Sequence, residues 1–478
     1  MLDFLPGDVF EFVDAAVLTY FIALQVFYSV LVVLAVLEVA RRQAQRLPEL
    51  DTSVLIEEST PPVTILVPAY NEGKHVVETV RGLLRLNYSQ LEVVVINDGS
   101  TDDTLDQLKD AFELKVSPRP VQQSIPTRRM RGLYHSQSED RVWVVDKENG
   151  GKADALNAGI NATQTPIFCA IDADTVVLSD ALLRLTEPFI YGPEEVVAVG
   201  GTVRVGNGCD IEDGEVNEVA PPDNWWARFQ NVEYLRAFIF GRLGFNRLGG
   251  NLIISGAFGL FSRRAVVEVG GYDTSTVGED MELVVRLHRY ASEQGGKVVQ
   301  LAEPIAYTEV PEDLRGLAVQ RARWHRGLAQ TLWKHRAMIG RPRYGLAGMV
   351  LMPLFVLFEL LGPVVEVLGY AWFVLAIALA FINPTFALLF FVVAFLWGAV
   401  LTVTSVVADL WTFRPEDRSR GGAKLVVVAI LENFGYRQMT LLFRIRGLYD
   451  WLRGDQSWGQ IERKGHGRRR VAAATEER

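Results

Sequence analysis

Residues 61–103 read PPVTILVPAYNEGKHVVETVRGLLRLNYSQLEVVVINDGSTDD. Two short runs rich in β-branched residues, 63–68 and 92–96, bracket a charged stretch of helical character, and each run ends in a cluster of polar residues. β-branched side chains pack well on a pleated surface, so the runs read as strands; strands alternating with helical stretches point to a parallel sheet. The alternation continues through apolar runs at 141–145 and 167–171. The expected fold class is therefore α/β, a Rossmann-like and mostly parallel sheet, within a domain over residues 49–312. Open sheets of this kind bind ligands at the carboxyl ends of their strands. That rule draws attention to Pro68-Ala69-Tyr70-Asn71-Glu72 after the first run and Asn97-Asp98-Gly99-Ser100-Thr101-Asp102-Asp103 after the second.

Several side chains on this edge carry recognisable chemistry. A carboxylate at Asp98, just past a strand, would accept hydrogen bonds from a ribose or from the N–H of a base, although Asn-Asp-Gly-Ser is also a common turn. Ile171-Asp172-Ala173-Asp174 places two carboxylates on one side at i and i+2. Hard oxygens so placed suit Mg²⁺ or Mn²⁺ shared with a diphosphate, whose charge the cation neutralises as the leaving group departs. Gly278-Glu279-Asp280 precedes a helical stretch at 281–290. Its acidic residues would cap that helix, or Asp280 would take a proton from an attacking hydroxyl as general base. One base opposite a departing diphosphate gives a single displacement with inversion. Gln320-Arg-Ala-Arg323-Trp324 lies in another helical stretch, where Gln320, Arg323 and Trp324 share a face. Arg323 would pair with a diphosphate and Trp324 would stack on a sugar, unless the segment only anchors an interfacial helix. Residues 117–140, with Pro118, Pro120, Pro126 and the Arg128, Arg129, Arg131 group, read as a long solvated loop between strands.

The remainder of the chain points to a membrane. The chain has 478 residues, of which 49% are hydrophobic, enough for one domain plus membrane segments. Residues 15–40 form an apolar run followed by Arg41, Arg42 and Arg46, so that residues 1–48 read as an N-terminal segment with a crossing whose far end is cytosolic. A cleaved signal peptide would carry basic residues before its apolar run, and here the leading segment is acidic. Residues 313–345 are amphipathic. Residues 346–443 hold apolar runs at 346–382 and 385–408 separated by Asn383-Pro384. The first of these reads as an interfacial helix followed by one crossing from about Leu360, because two crossings return Arg414, Arg418 and Arg420 to the cytosol. Glu432, Asn433, Arg437 and Gln438 interrupt residues 423–443, which suits an interfacial helix or one facing a polar path. The basic tail, 444–478, is expected in the cytosol. Together these features describe a multi-pass protein of the cell membrane, in contact with lipid, whose catalytic domain is cytosolic. A net charge of −9 argues against a nucleic-acid partner. Cys169 and Cys209 lack metal-ligand spacing and read as ordinary thiols.

The ordered set PAYNE, NDGSTDDT, KENGGKADALNAG, DAD, SGAFGLF, GED and QRARW, spread over residues 63–324, resembles the family 2 glycosyltransferases of GT-A fold. The resemblance is in particular to the processive membrane synthases of cellulose, chitin, hyaluronan and poly-N-acetylglucosamine. The resemblance implies a UDP-sugar donor near Ala69, Tyr70, Glu72, Asp98 and Lys152, with Asp98 on the uridine. It implies that Asp172 and Asp174 hold the UDP and its Mg²⁺ or Mn²⁺. Asp280, with Glu279 beside it, would be catalytic, and Gln320, Arg323 and Trp324 would close the acceptor and pyrophosphate site. Ser255-Gly256-Ala257 would line the channel for the growing polysaccharide acceptor. Two departures stand out: Gly278 replaces a common threonine, and Trp458 and Arg463 match the family's gating motif only with altered spacing. No cyclic-dinucleotide-binding extension is apparent, which favours UDP-N-acetylglucosamine over UDP-glucose. The expected activity is inverting, processive synthesis of a β-linked polysaccharide with translocation across the membrane. Two alternatives are transfer of one sugar to a lipid phosphate, and a scaffold that has lost the reaction. Any accessory export protein is unknown from the sequence.

Overall fold

The apolar runs form the centre of a ten-stranded sheet in the computed structural model, which describes residues 7–45, 60–73, 75–117, 119–172, 175–192, 195–212, 215–379, 382–413 and 422–455. The strands are β1 (Val63–Ala69), β2 (Leu91–Asp98), β3 (Leu114–Val116), β4 (Met130–Ser136), β5 (Val142–Lys147), β6 (Ile167–Ile171), β7 (Val176–Val177), β8 (Val196–Val205), β9 (Asp210–Glu212), β10 (Glu215–Glu218), β11 (Phe258–Ser262) and β12 (Lys297–Thr308). The sheet order is β3-β4-β5-β2-β1-β6-β11-β8-β12-β7, and β9 and β10 form a separate ribbon.

Strands β5, β2, β1 and β6 run parallel, with Ala69 opposite Asn97 and Asp98 opposite Lys147. Their carboxyl ends therefore meet on one edge. The chain leaves β1 on one side for β2 and later returns on its other side as β6, which opens a crevice at the end of β1. Both faces of this core are covered, as parallel sheets require. Leu66, Val94 and Ile96 pack with Leu156 and Ile160 of helix α2 (Lys152–Ala162), while Ile65, Val67, Val93 and Val95 pack with Val76, Val80 and Leu108. Strand β11 enters antiparallel between β6 and β8, with Phe258 opposite Ile171, so the loop preceding it arrives at the end of β6.

One expectation needs correction. Residues 117–140 are not simply a solvated loop, because 130–136 form β4, paired antiparallel with β5 and with the edge strand β3. The prolines before it and its Met-Arg-Gly start obscured a strand of which only Ser136 is buried. The segment ahead of β4 is pinned by Asn161, whose Oδ1 accepts from the N–H groups of Ser124 and Ile125 and whose Nδ2 donates to the Ile125 carbonyl.

Outside the sheet, the helices that bear on function are α1 (Gly7–Gln45), α2, α3 (Trp225–Arg236), α4 (Glu279–Gln294), α5 (Leu314–Lys334), α6 (Gly362–Ala378), α7 (Gly398–Phe413), α8 (Gly422–Leu431) and α9 (Tyr436–Leu452). Among the described residues three helical stretches are long and apolar enough to cross a membrane: Val9–Arg41, Ala347–Ala378 and Pro384–Trp411. The start of the second packs against the α/β domain, where Leu351, Met352 and Phe355 meet Met281, Val285, Leu328 and Leu332. Helix α8 lies along α7: Gly422 faces Leu410, and past the end of α8 Asn433 reaches Thr402 and the level of Gly398. With a rise of 1.5 Å per residue, the step from Leu410 to Gly398 is about 18 Å.

Charged groups among these apolar helices are paired. Arg204 at the end of β8 bonds Asp409 of α7, both fully buried. Arg236 reaches Glu432 at 2.7 Å and Thr402 at 2.9 Å, and Arg437 lies 3.3 Å from Glu366. Ionisable side chains in such surroundings persist only when paired and turned to protein. They also tie the sheet to the helices, since Arg204 and Arg236 belong to the α/β domain.

Candidate active site

At the carboxyl edge of the sheet, two loops are fastened to each other. Asn71, in the left-handed region at φ 57°, accepts from the Thr101 N–H at 2.8 Å, and its own N–H donates to Ser100 Oγ at 3.0 Å. Asparagine tolerates that backbone conformation better than most residues. Glu72 N–H donates to Thr104 Oγ1 at 3.0 Å. The loop after β1 is thus shaped by the loop after β2, with Ala69 buried beneath it and Tyr70 half exposed at its tip.

Asp98 is almost fully buried at the end of β2. Its Oδ1 accepts from Lys147 Nζ at 2.5 Å and from Gly150 N–H at 3.0 Å, and its Oδ2 accepts from Gly151 N–H at 2.8 Å. A carboxylate offers about four acceptor positions, so these bonds leave about one. Lys147 has no solvent exposure and also bonds Asp154 at 2.5 Å, whose carboxylate in turn accepts from the Arg128 N–H. A lysine without water needs such partners, because an unpaired buried ammonium is far too costly. Lys147 and Asp154 were missed in the sequence. The available signal was a lysine closing the apolar run Val142-Trp-Val-Val-Asp-Lys147 just before Gly150-Gly151.

Asp172 follows β6, and its carboxylate bonds Lys152 Nζ. Lys152 also lies 3.8 Å from Glu279 Oε1 and is held protonated against its burial by Asp172, Glu279 and Asp280. Three carboxylates from two distant segments therefore meet around one ammonium. Glu279 is almost fully buried, and its Oε2 has no hydrogen-bond partner among the described residues. Burial pushes its carboxyl up to about 7, with Lys152 opposing and Asp280 adding to the rise. Asp280 is presented at the start of α4, where Oδ2 accepts from Gly256 N–H at 3.1 Å and Oδ1 from Met281 N–H at 2.8 Å. The loop at 255–257 and the GED segment are thereby joined. Asp174, Trp458 and Arg463 lie outside the described residues.

Carboxylates gathered about a single positive charge fit a divalent cation in their chemistry, since Mg²⁺ takes one or two protein carboxylates and completes its shell with phosphate and water. Among the described residues no three acidic, histidine or cysteine side chains form a complete cage.

Helix α5 closes the other side, and its motif divides. Gln320 and Arg321 are buried, with Arg321 donating to Gln320 Oε1 at 2.6 Å and to Glu233 Oε2 at 2.7 Å. Tyr436 of α9 donates to that same Glu233 oxygen at 2.8 Å. Trp324 is 43% exposed, with the Arg321 guanidinium 4.4 Å above its ring and Tyr234 beside it. Arg323 lies near enough to Glu279 to oppose the rise of its pKa. Gln320 therefore faces the protein while Trp324 faces outward, so the shared face expected from spacing is only partly realised.

Two glycine contacts set the spacing. A Cβ on Gly278 would stand 2.9 Å from the Gly327 Cα, and one on Gly447 of α9 would stand 2.1 Å from the Ala322 carbonyl oxygen. Backbone therefore meets backbone both where GED joins α5 and where α9 joins α5. A threonine at the first position has no room here. Gly278→Thr is expected to lower stability by about 1–3 kcal/mol through overpacking. Thermal denaturation of the purified protein checks it, and an unchanged melting temperature would contradict the contact.

A family model described as "Glycosyltransferase like family 2" matches residues 61–327. The chain is 30% identical over 265 residues to the poly-beta-1,6-N-acetyl-D-glucosamine synthase of Staphylococcus aureus, covering 55% of this chain and 54% of that protein. The synthase of the same name from Staphylococcus epidermidis is 29% identical over the same length. The match therefore spans about half the length of these curated relatives. Among solved structures, the mannosyltransferase PcManGT from Pyrobaculum calidifontis, in complex with GDP-Man and Mn²⁺, aligns with a TM-score of 0.51 and 17% identity over 92% of this chain and 100% of that one. That likeness is one of fold.

Proposed function

The chain belongs to the family 2-like glycosyltransferases, and from that membership we propose that it is an inverting, metal-dependent polysaccharide synthase. Its donor is a UDP-sugar, with UDP-N-acetylglucosamine favoured. The observation that carries this reading is the meeting of Asp172, Lys152, Glu279 and Asp280 at the carboxyl edge of the sheet, beside Asp98 and its Gly150-Gly151 loop.

In this reading Tyr70 and the remaining acceptor position of Asp98 face the uridine, and Ala69 and Glu72 form the floor and wall of its pocket. Asp172 and Asp174 would hold Mg²⁺ or Mn²⁺, which supplies charge neutralisation for the departing diphosphate. Lys152 and Arg323 bring further positive charge to the phosphates. Asp280 accepts the proton of the acceptor hydroxyl as the hydroxyl oxygen bonds the anomeric carbon and the bond from that carbon to the diphosphate breaks. The N–H groups of Gly256 and Met281 keep the carboxylate oriented for that step. Glu279 fixes Lys152 from behind. Trp324 offers an exposed ring to the acceptor, and Ser255, Gly256 and Gln320 shape the surroundings of its terminal sugar. Trp458 and Arg463 would gate the donor.

Polymer synthesis rather than a single transfer is supported by the similarity to synthases and by the closeness of α5 to the membrane-spanning stretches. Gln25, Glu366, Asn433 and Arg437, all buried or nearly so among the apolar helices, offer polar groups along a path through a multi-pass protein of the cell membrane. Purified full-length protein, given radiolabelled UDP-N-acetylglucosamine with Mg²⁺ or Mn²⁺, is expected to yield a polymer excluded early from a sizing column. A product consisting only of a lipid bearing one sugar would remove the polymerase reading.

A further inference from the structure

Helix α3 continues into a π-helical turn, Ala237–Arg242, and along this segment Tyr234, Phe238 and Arg242 follow one another at four-residue spacing. The Tyr234 and Phe238 rings are 5.9 Å apart, and the Arg242 guanidinium carbon lies 3.8 Å from the centre of the Phe238 ring. At its other end the row meets Trp324, 6.4 Å from Tyr234. Phe238 packs with Val203 and Ala257, and Ala257 follows the Gly256 whose N–H seats Asp280. The row thus runs from the exposed tryptophan of α5 to the back of the loop that holds the candidate base.

Arg242 is conspicuous in this row. Its Nη1 is enclosed, yet has no hydrogen-bond partner among the described residues. Proteins rarely leave such donors unpaired. Burial pushes the guanidinium down to about 10, while the negative charge of Asp280 and the nearby Tyr234 oppose that shift. It therefore stays cationic at neutral pH. Isolated π-turns frequently occur at functional sites. Asp280 is within electrostatic reach of two cations: Lys152, which bonds Asp172, and Arg242, which belongs to the aromatic row.

We propose that Arg242 binds the acceptor, donating from its unpaired N–H to a hydroxyl or amide carbonyl oxygen of the neutral terminal sugar as that sugar lies along Trp324 and Tyr234. The contact holds the attacking hydroxyl toward Asp280. This assignment rests on the glycosyltransferase reading, and the test separates the two. Full-length wild type, Arg242→Met and Arg242→Lys are compared for binding of an N-acetylglucosamine oligosaccharide, binding of UDP, and transfer from UDP-N-acetylglucosamine to that oligosaccharide. Arg242→Met is expected to weaken oligosaccharide binding and raise the acceptor KM by roughly 10- to 100-fold, the usual worth of a hydrogen bond to a charged group. UDP binding and melting temperature stay at wild-type values, and Arg242→Lys recovers part of the loss. An acceptor KM and oligosaccharide affinity equal to wild type in Arg242→Met would overturn the assignment, as would a parallel loss of UDP binding in both variants. A wild type that binds UDP and oligosaccharide but transfers no sugar would instead strike the glycosyltransferase reading.

Discussion

Asp280→Asn is expected to slow sugar transfer by about 10²- to 10⁴-fold, the usual contribution of a general base, while UDP binding stays near wild type. The asparagine keeps the shape of the carboxylate and one oxygen able to accept from the Gly256 or Met281 N–H, so the loop at 255–257 stays in place. What disappears is the capacity to take a proton. Rates with saturating donor and acceptor, set beside UDP titrations on the same preparations, separate the two effects. Equal transfer rates in the two proteins would refute Asp280 as the base; a matching loss of UDP affinity would make it a structural residue.

The second large effect concerns Lys147, which no solvent reaches and which bridges Asp98 and Asp154. Removing one member of a buried charge cluster leaves the others uncompensated, at a cost of about 3–5 kcal/mol. Lys147→Met should therefore lower the melting temperature and loosen the Gly150-Gly151 loop that Asp98 holds, weakening UDP binding as well. Adding Asp154→Asn removes one of the stranded charges, and the double variant should regain part of the lost stability because the residues interact directly. A melting temperature unaffected by Lys147→Met would mean that the cluster contributes nothing to stability.

These two residues also mark how far the sequence could be read. The place of Asp280 at the start of a helix was legible because its motif stands next to a helical stretch. The parallel core was legible because Val and Ile runs end in polar clusters, and strand ends are where such clusters meet. Lys147 was not, since a lysine before a glutamate at a strand end reads as solvated until Asp98 and Asp154 are seen around it. Arg321 was overlooked for a related reason. Helical spacing put Gln320, Arg323 and Trp324 on one face and left Arg321 off it, whereas its partner Glu233 lies 88 residues away. Strand β4 escaped notice because only Ser136 along it is buried, so alternation gave no pattern to read. Asp172 was singled out from its spacing, but its bond to Lys152 depends on the start of α2 standing near the end of β6, which one sequence does not display.

The packing of Gly447 on Ala322 has a temporal side. Helix α9 leaves the ribosome more than a hundred residues after α5. At 5–20 residues per second that interval is roughly 6–25 s. During it the QRARW helix is already made but lacks the helix that buries its far face and the Tyr436 hydroxyl that steadies Glu233. A nascent chain thus finishes the carboxyl edge of its sheet well before α5 is packed, and on the proposed reading a chain stopped upstream of α9 is expected to bind UDP but not to transfer its sugar.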